Sequence, residues 1–243
     1  WFSGAKINFA ENLLQRQDDQ LAIIFRGEEG PSRYLTFAQL YSEVAQVTES
    51  MKQLGVQTGD RVVGYMPNIP ETIIAMLATA SLGATWSSCS PDFGIKGVLD
   101  RFGQIQPKIL FTANGYCFKG KKLDILPRIK QILEQIESVQ QVVVIPFTEE
   151  SPDISQVPRS ILYQDFCSKQ AKDINFVQVP FEHPLYIMYS SGTTGLPKCM
   201  VHSAGGVLVN HMKELALHTD IKANDRVFYF TTCGWMMWNW LAS

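Results

Sequence analysis

Apolar and polar positions along this chain follow two alternating periods. A β-rich run, Leu21 to Arg26, precedes a turn at Gly27-Glu28-Glu29-Gly30-Pro31. Thr36 then stands as N-cap to a helix whose apolar residues Phe37, Leu40, Val44, Val47, Met51 and Leu54 step by three and four, and Gly55 sits at its C-terminal end. The alternation continues. A strand is predicted at Arg61 to Met66, a helix at Pro70 to Leu82 with proline in its first turn, and a strand at Ala84 to Ser88. Next come the loop Ser90-Pro91-Asp92-Phe93-Gly94, a helix over Val98 to Gln104 and a strand at Lys108 to Thr112. A helix over Leu123 to Ile136 and a β-branched strand at Gln141 to Phe147 follow.

Glu149 to Pro158 reads as loop, with a short helix near Asp165 to Lys169 beyond it. Leu185 to Tyr189 is an apolar strand that runs into a glycine-rich stretch. Met200 to His202 predicts a strand, Ala204 to His218 a helix, and Arg226 to Thr232 a further strand. The last segment, to Ser243, is apolar and helical in pattern. Strands alternating with helices require crossover connections, so the expected fold class is α/β, with layered, mostly parallel sheets and flanking helices. There is no internal repeat and no low-complexity segment.

Composition narrows the function classes. The chain has 243 residues, 46% hydrophobic and 18% charged, with a net charge of -2. It lacks the basic face that a sequence-independent grip on nucleic acid needs. Apolar runs such as Ile73 to Leu82 are too short to span a bilayer, so the chain reads as soluble and without a membrane span. The five cysteines and four histidines are dispersed, without metal-ligand or redox-pair spacing, so no metal site is expected and buried thiols in a reducing compartment are. Trp1 as first residue, with no leader before it, and the abrupt apolar end read as those of a fragment.

Chemistry concentrates in Tyr189-Ser190-Ser191-Gly192-Thr193-Thr194-Gly195-Leu196-Pro197-Lys198. Glycines let consecutive N–H groups turn inward as an anion nest. The hydroxyls of Ser190, Ser191, Thr193 and Thr194 add directional bonds to phosphate oxygens, and Lys198 supplies a positive charge. The spacing of Gly192, Gly195 and Lys198 does not fit the Walker pattern.

This stretch resembles the phosphate-binding signature of the adenylate-forming superfamily. The opening Trp1 to Asn12, Gly59-Asp60-Arg61-Val62, Met66-Pro67-Asn68 and Val201 to Gly206 are similar to its acetyl-CoA synthetase branch. Within the branch, Trp86 to Gly94, Lys198 to His202 and Gly234 to Trp240 are most similar to acetoacetate-activating members. The resemblance covers essentially the whole chain. It implies a segment of the branch's N-terminal type at 1–34 and a partial AMP-binding domain at 35–243, the incomplete front of a large N-terminal domain.

The resemblance also implies a reaction: ATP-dependent ligation of acetoacetate to CoA through an acyl-adenylate, in the cytosol, with Mg²⁺ carried by ATP. Ser190 to Lys198 would hold the ATP phosphates, with Lys198 and Thr194 in support of catalysis. Trp235 would stand where acyl pocket and pantetheine tunnel meet, with Met236 and Met237 against the acyl group. A Trp/Met run is by itself more often core than pocket. Ser90, Phe93 and Gly94 would touch CoA, and Lys119 and Lys121 its phosphates, although a solvated basic turn fits those lysines equally well. No close carboxylate pair supports Asp92 or Glu214 as an acid–base couple. The family's adenine, ribose and Mg²⁺ contacts and its catalytic lysine have no counterpart before Ser243, so the constellation is incomplete and the isolated chain is expected to be inactive. Another short- or medium-chain acyl-CoA synthetase and a non-catalytic nucleotide-binding or interaction product are the alternative readings.

Overall fold

The structure is a computed structural model that describes residues 2–190 and 195–243. The first elements are β1 (Lys6–Ile7), α1 (Phe9–Leu13), the hairpin β2 (Leu21–Phe25) and β3 (Arg33–Thr36), and α2 (Phe37–Gln53). Then follow β4 (Arg61–Tyr65), α3 (Pro70–Ser81), β5 (Thr85–Cys89), α4 (Ile95–Phe102) and β6 (Ile109–Ala113). The hairpin β7 (Gly115–Phe118) and β8 (Lys121–Asp124) leads to α5 (Leu126–Leu133), β9 (Gln141–Ile145), β10 (Ser160–Leu162) and α6 (Tyr163–Phe166). The last third holds β11 (Val179–Pro180), β12 (Pro184–Ser190), β13 (Lys198–Ser203), α7 (Ala204–Lys213) with a π-helical turn (Glu214–His218), and α8 (Met236–Leu241).

Seven strands form the central sheet in the order β10-β9-β6-β4-β5-β12-β13. Every neighbouring pair is parallel except β12 with β13. Side chains alternate across it, as the period-two geometry of strands demands. Val62, Ile109, Phe111 and Val143 face one apolar cluster with α1, α2, α3 and α8, while Val63, Leu110, Val142 and Val144 face the other with α4 and α5. The result is a three-layer α/β arrangement. Local signals set its element ends: Thr36 accepts from the Gln39 N–H at 3.1 Å while the Gln39 amide accepts from the Thr36 N–H at 2.9 Å, a reciprocal capping box. Gly55, at φ +74°, stops α2 in the left-handed conformation that glycine tolerates.

Three expectations are corrected. Arg226 to Thr232 is not a paired strand: no described strand runs beside it, and Phe228 and Phe230 are 84% and 89% exposed. Pairing is a long-range property that apolar alternation cannot supply. The helix expected to His218 is α-helical only to Lys213, then widens into the π-turn. The helix expected over Leu123 to Ile136 is confined to Leu126–Leu133, because Lys121–Asp124 pairs with β7 as β8 across a tight turn at Lys119 and Gly120, φ +52° and +70°.

Candidate active site

The glycine-rich stretch lies between β12 and the antiparallel β13, so the strand before it is followed by a paired strand and not by a helix. Ser191, Gly192, Thr193 and Thr194 lie outside the described residues. The β12–β13 hairpin pairs Ser190 directly with Lys198, and Lys198 is exposed with no ion pair among the described residues. Gly195, at φ +89°, has no atom of the described residues within 4 Å of where a Cβ would stand. A hydroxyl, an exposed ammonium and a positive-φ glycine near the ends of these two strands are groups that can bind a polyphosphate.

Contacts at the base of the hairpin tie it to the sheet. Gln104, just past α4, donates to the Pro197 carbonyl at 2.9 Å. The Tyr189 hydroxyl accepts from Ser87 Oγ at 3.2 Å, and burial pushes the phenol well above its ordinary range, so it stays neutral. The Arg101 guanidinium lies 4.4 Å above the Phe93 ring and 5.6 Å from the Tyr189 ring. One cation therefore bridges the hairpin base and the loop after β5. Sequence reading missed Arg101, because nothing in its spacing marks the two rings it serves.

That loop is held from below. Tyr65 donates to the carbonyls of Pro91 at 3.0 Å and Phe93 at 2.6 Å, and Arg128 reaches the Pro91 carbonyl at 3.1 Å. Burial raises the Tyr65 phenol, keeping the donor protonated. Of the residues expected at CoA, Ser90 is buried, Phe93 half-buried and Gly94 exposed at the start of α4. Lys119 and Lys121 are exposed on the β7–β8 hairpin. Its turn N–H groups, at Lys119 and Gly120, already donate to the Glu28 carboxylate at 3.2 and 2.8 Å.

Between these loops opens a cleft of about 500 Å³, lined by Phe25, Pro67, Asn68, Ser90, Tyr116 and Phe118 and roofed by Phe228 to Thr232. It lies beyond the carboxyl ends of β4 and β5, where open α/β sheets bind ligands. Ser90 borders it, but neither Lys119 nor Lys121 does.

The segment expected at the acyl group approaches the same strand ends. Ser88 Oγ donates to the Cys233 carbonyl at 2.6 Å, and the buried Cys233 thiol, pushed up to about 12 by burial, donates to the Met66 carbonyl at 2.9 Å. Trp235 caps α8 and is 60% exposed, while Met236 and Met237 are half-buried. Trp238 is the core residue of the run, its Nε1 bonded to Asn68 Oδ1 at 2.8 Å. Trp240, one turn beyond Met236, is half-buried and edge-on to Tyr229 at 6.5 Å. The far end of α8 is tied to α7: Ser243 Oγ donates to the Asn239 carbonyl at 2.7 Å and meets His211 Nδ1 at 2.6 Å. Burial, with a smaller push from His202, lowers the His211 imidazole to about 4, so it is neutral near pH 7. Among the described residues, no group of three or more His, Cys, Asp or Glu could hold a metal, and no helix is long and apolar enough to cross a membrane.

Comparison with known proteins adds the lineage. A profile of the AMP-binding enzyme family matches residues 9–242. Over 100% of its length the chain is 49% identical to the acetoacetyl-CoA synthetase of Gallus gallus, of which it covers 38%. It is 42% identical, again over 100% of its length, to the malonamoyl-CoA synthetase of Penicillium aethiopicum, covering 35% of that protein. Among solved structures, the acetoacetyl-CoA synthetase from Streptomyces lividans matches with a TM-score of 0.93 at 42% identity, over 100% of this chain and 37% of that one. The chain thus spans well under half the length of these relatives.

Proposed function

This chain belongs to the AMP-binding enzyme family, and from that premise we propose that its protein ligates acetoacetate to CoA with ATP. The acid's carboxylate attacks the α-phosphorus of ATP and pyrophosphate leaves. The CoA thiol then attacks the acyl carbonyl of the adenylate, AMP leaves and the thiol proton is released, so the reaction is one adenylyl transfer followed by one acyl transfer. In this reading Ser190 to Lys198 grip the β- and γ-phosphates of Mg²⁺-ATP. Trp235, Met236, Met237 and the neighbouring Trp240 shape the acyl site. Ser90, Phe93 and Gly94 meet CoA, with Lys119 and Lys121 near its phosphates. The cytosol is the proposed compartment and the use of a ketone-body acid in lipid metabolism the proposed context.

The observation that carries the reading is near-half identity over the whole chain to a protein named acetoacetyl-CoA synthetase. A second reading is favoured by the malonamoyl-CoA synthetase relative. Malonamate carries a carbonyl at C3 as acetoacetate does, with an amide nitrogen in place of the methyl carbon. ATP–pyrophosphate exchange by the full-length protein separates the two. Acetoacetate is expected to exceed malonamate, butyrate and acetate in kcat/KM. Equal or faster exchange with butyrate or acetate overturns the assignment, and a lead for malonamate establishes the second reading.

A further inference from the structure

Behind α8 lies a group of polar atoms that the reaction does not use. Trp86, Tyr186 and Asn239 are 1%, 1% and 4% exposed. The indole Nε1, the phenol oxygen and the amide Oδ1 make no hydrogen bond with any described residue. Buried polar groups are almost all paired in folded proteins, so each of these three asks for a partner.

The three residues border one narrow cavity between β5, β12 and α8, with about 10 Å³ of room for the centre of a water-sized sphere. That is the lower limit for a single water molecule. Trp86 and Tyr186 face each other in the parallel β5–β12 register, so both side chains leave the same face of the sheet. Met188, two residues along β12, shares that face and lies 3.6 Å from Asn239 Nδ2. The hydrogen-bonding chemistry is complementary: an indole N–H only donates, an amide oxygen only accepts, and a phenol does both. The Cζ2–Cη2 edge of the indole, the edge next to the carbon that carries Nε1, packs against Gly64 and confines the ring.

We propose that Trp86, Tyr186 and Asn239 hold one internal water molecule, and that through it Asn239 is the positioning residue that seats the start of α8. The same amide donates from Nδ2 to the Trp235 carbonyl at 3.3 Å. A water held by Oδ1 fixes the plane of the amide, and the fixed amide holds the backbone from which Trp235 and Met236 project. The kinetic consequence rests on the function proposed above; the water itself does not.

The test uses the full-length protein. A crystal structure with ordered solvent should show one water within hydrogen-bonding distance, about 2.7–3.2 Å, of all three atoms. Absence of density there overturns the site, whether or not the enzyme is active. Asn239→Leu keeps the side-chain volume and removes both contacts; it should raise KM for the acid about tenfold while kcat stays within about twofold, since it loosens placement and not phosphate chemistry. Tyr186→Phe leaves the water two partners and the Asn239–Trp235 bond intact, and should keep KM within about twofold of the parent. An unchanged KM in Asn239→Leu, or an equal rise in both variants, overturns the positioning role. A protein that exchanges with no acid at all refutes the proposed function, and the density at the three atoms still decides the water.

Discussion

Gly64→Ala is the most direct test of how the core supports the site. Gly64 lies in β4 between Ser88 of β5 and Phe111 of β6, at the middle of the sheet. A Cβ there would stand 2.7 and 2.8 Å from two carbons of the Trp86 six-membered ring and 3.2 Å from Met66 Cγ. The nearest contact falls roughly 0.7 Å short of ordinary van der Waals separation, an overpacking of the kind that costs about 1–3 kcal/mol. Trp86 is 1% exposed, so the ring cannot yield into solvent. Any retreat of the ring must therefore displace other core side chains. We expect a cost of about 2 kcal/mol, which lowers the melting temperature by about 2–4 °C, less than in a domain of about 150–250 residues because the folding unit that contains this chain is larger. Differential scanning fluorimetry of parent and variant full-length proteins, side by side, reads the shift. Trp86→Phe removes the two clashing carbons, so the double variant should lose about 1 kcal/mol less than the two single losses added together. A Gly64→Ala protein that melts within about 1 °C of the parent, or a strictly additive double variant, refutes the packing argument.

Lys198→Met removes the exposed ammonium opposite Ser190 and should lower kcat/KM for ATP about 10- to 100-fold in pyrophosphate exchange, the loss expected for one charge-assisted phosphate contact; an unchanged value excludes Lys198 from the phosphate grip. Glu43 carries a carboxyl raised above its ordinary 4.5, first by burial and then by the neighbouring Glu71 carboxylate. The folded state therefore binds its proton more tightly than the unfolded state, and this favours folding below pH 4.5. The advantage is lost as pH rises toward the elevated folded value. Glu43→Gln should flatten that decline in urea midpoints measured above pH 4.5, and a parallel pH profile for parent and variant rejects the assignment.

Much of the sheet was legible because its signals are local. The three- and four-residue steps of α2, its capping threonine and its terminal Gly55 are statements about adjacent backbone, and the structure obeys them. The strands β4, β6 and β9 carry near-continuous apolar residues because both faces are covered, one by each apolar cluster. What escaped reading depends on distant partners. The β7–β8 hairpin turns on Lys119 and Gly120, without the Asn-Gly or Asp-Gly that marks such turns, and its conformation is supported by Glu28 from another hairpin. The β2–β3 pairing and the short β10 are likewise fixed by neighbours and not by alternation. The cluster of Trp86, Tyr186 and Asn239 could not be read at all, since it assembles from three elements up to 153 positions apart.

The candidate site divides its labour between a stiff base and separate loops, and Arg101 is where they meet. Residues 90–94 and the phosphate hairpin are about a hundred positions apart in sequence, yet one guanidinium stands over a ring from each. Tyr189 is further held to β5 through Ser87, and Phe93 through its carbonyl to Tyr65 in β4. The cation is thus clamped between two rings whose own positions are set by adjacent strands of the same sheet. Each cation–π contact contributes only about 0.5–2 kcal/mol. Their shared geometry nevertheless means that a shift of the hairpin base changes the support of the loop after β5. A phosphate group bound at Lys198 and a ligand bound along residues 90–94 would therefore act on one mechanical unit, which suits an enzyme that must hold a nucleotide and a second substrate in fixed relation.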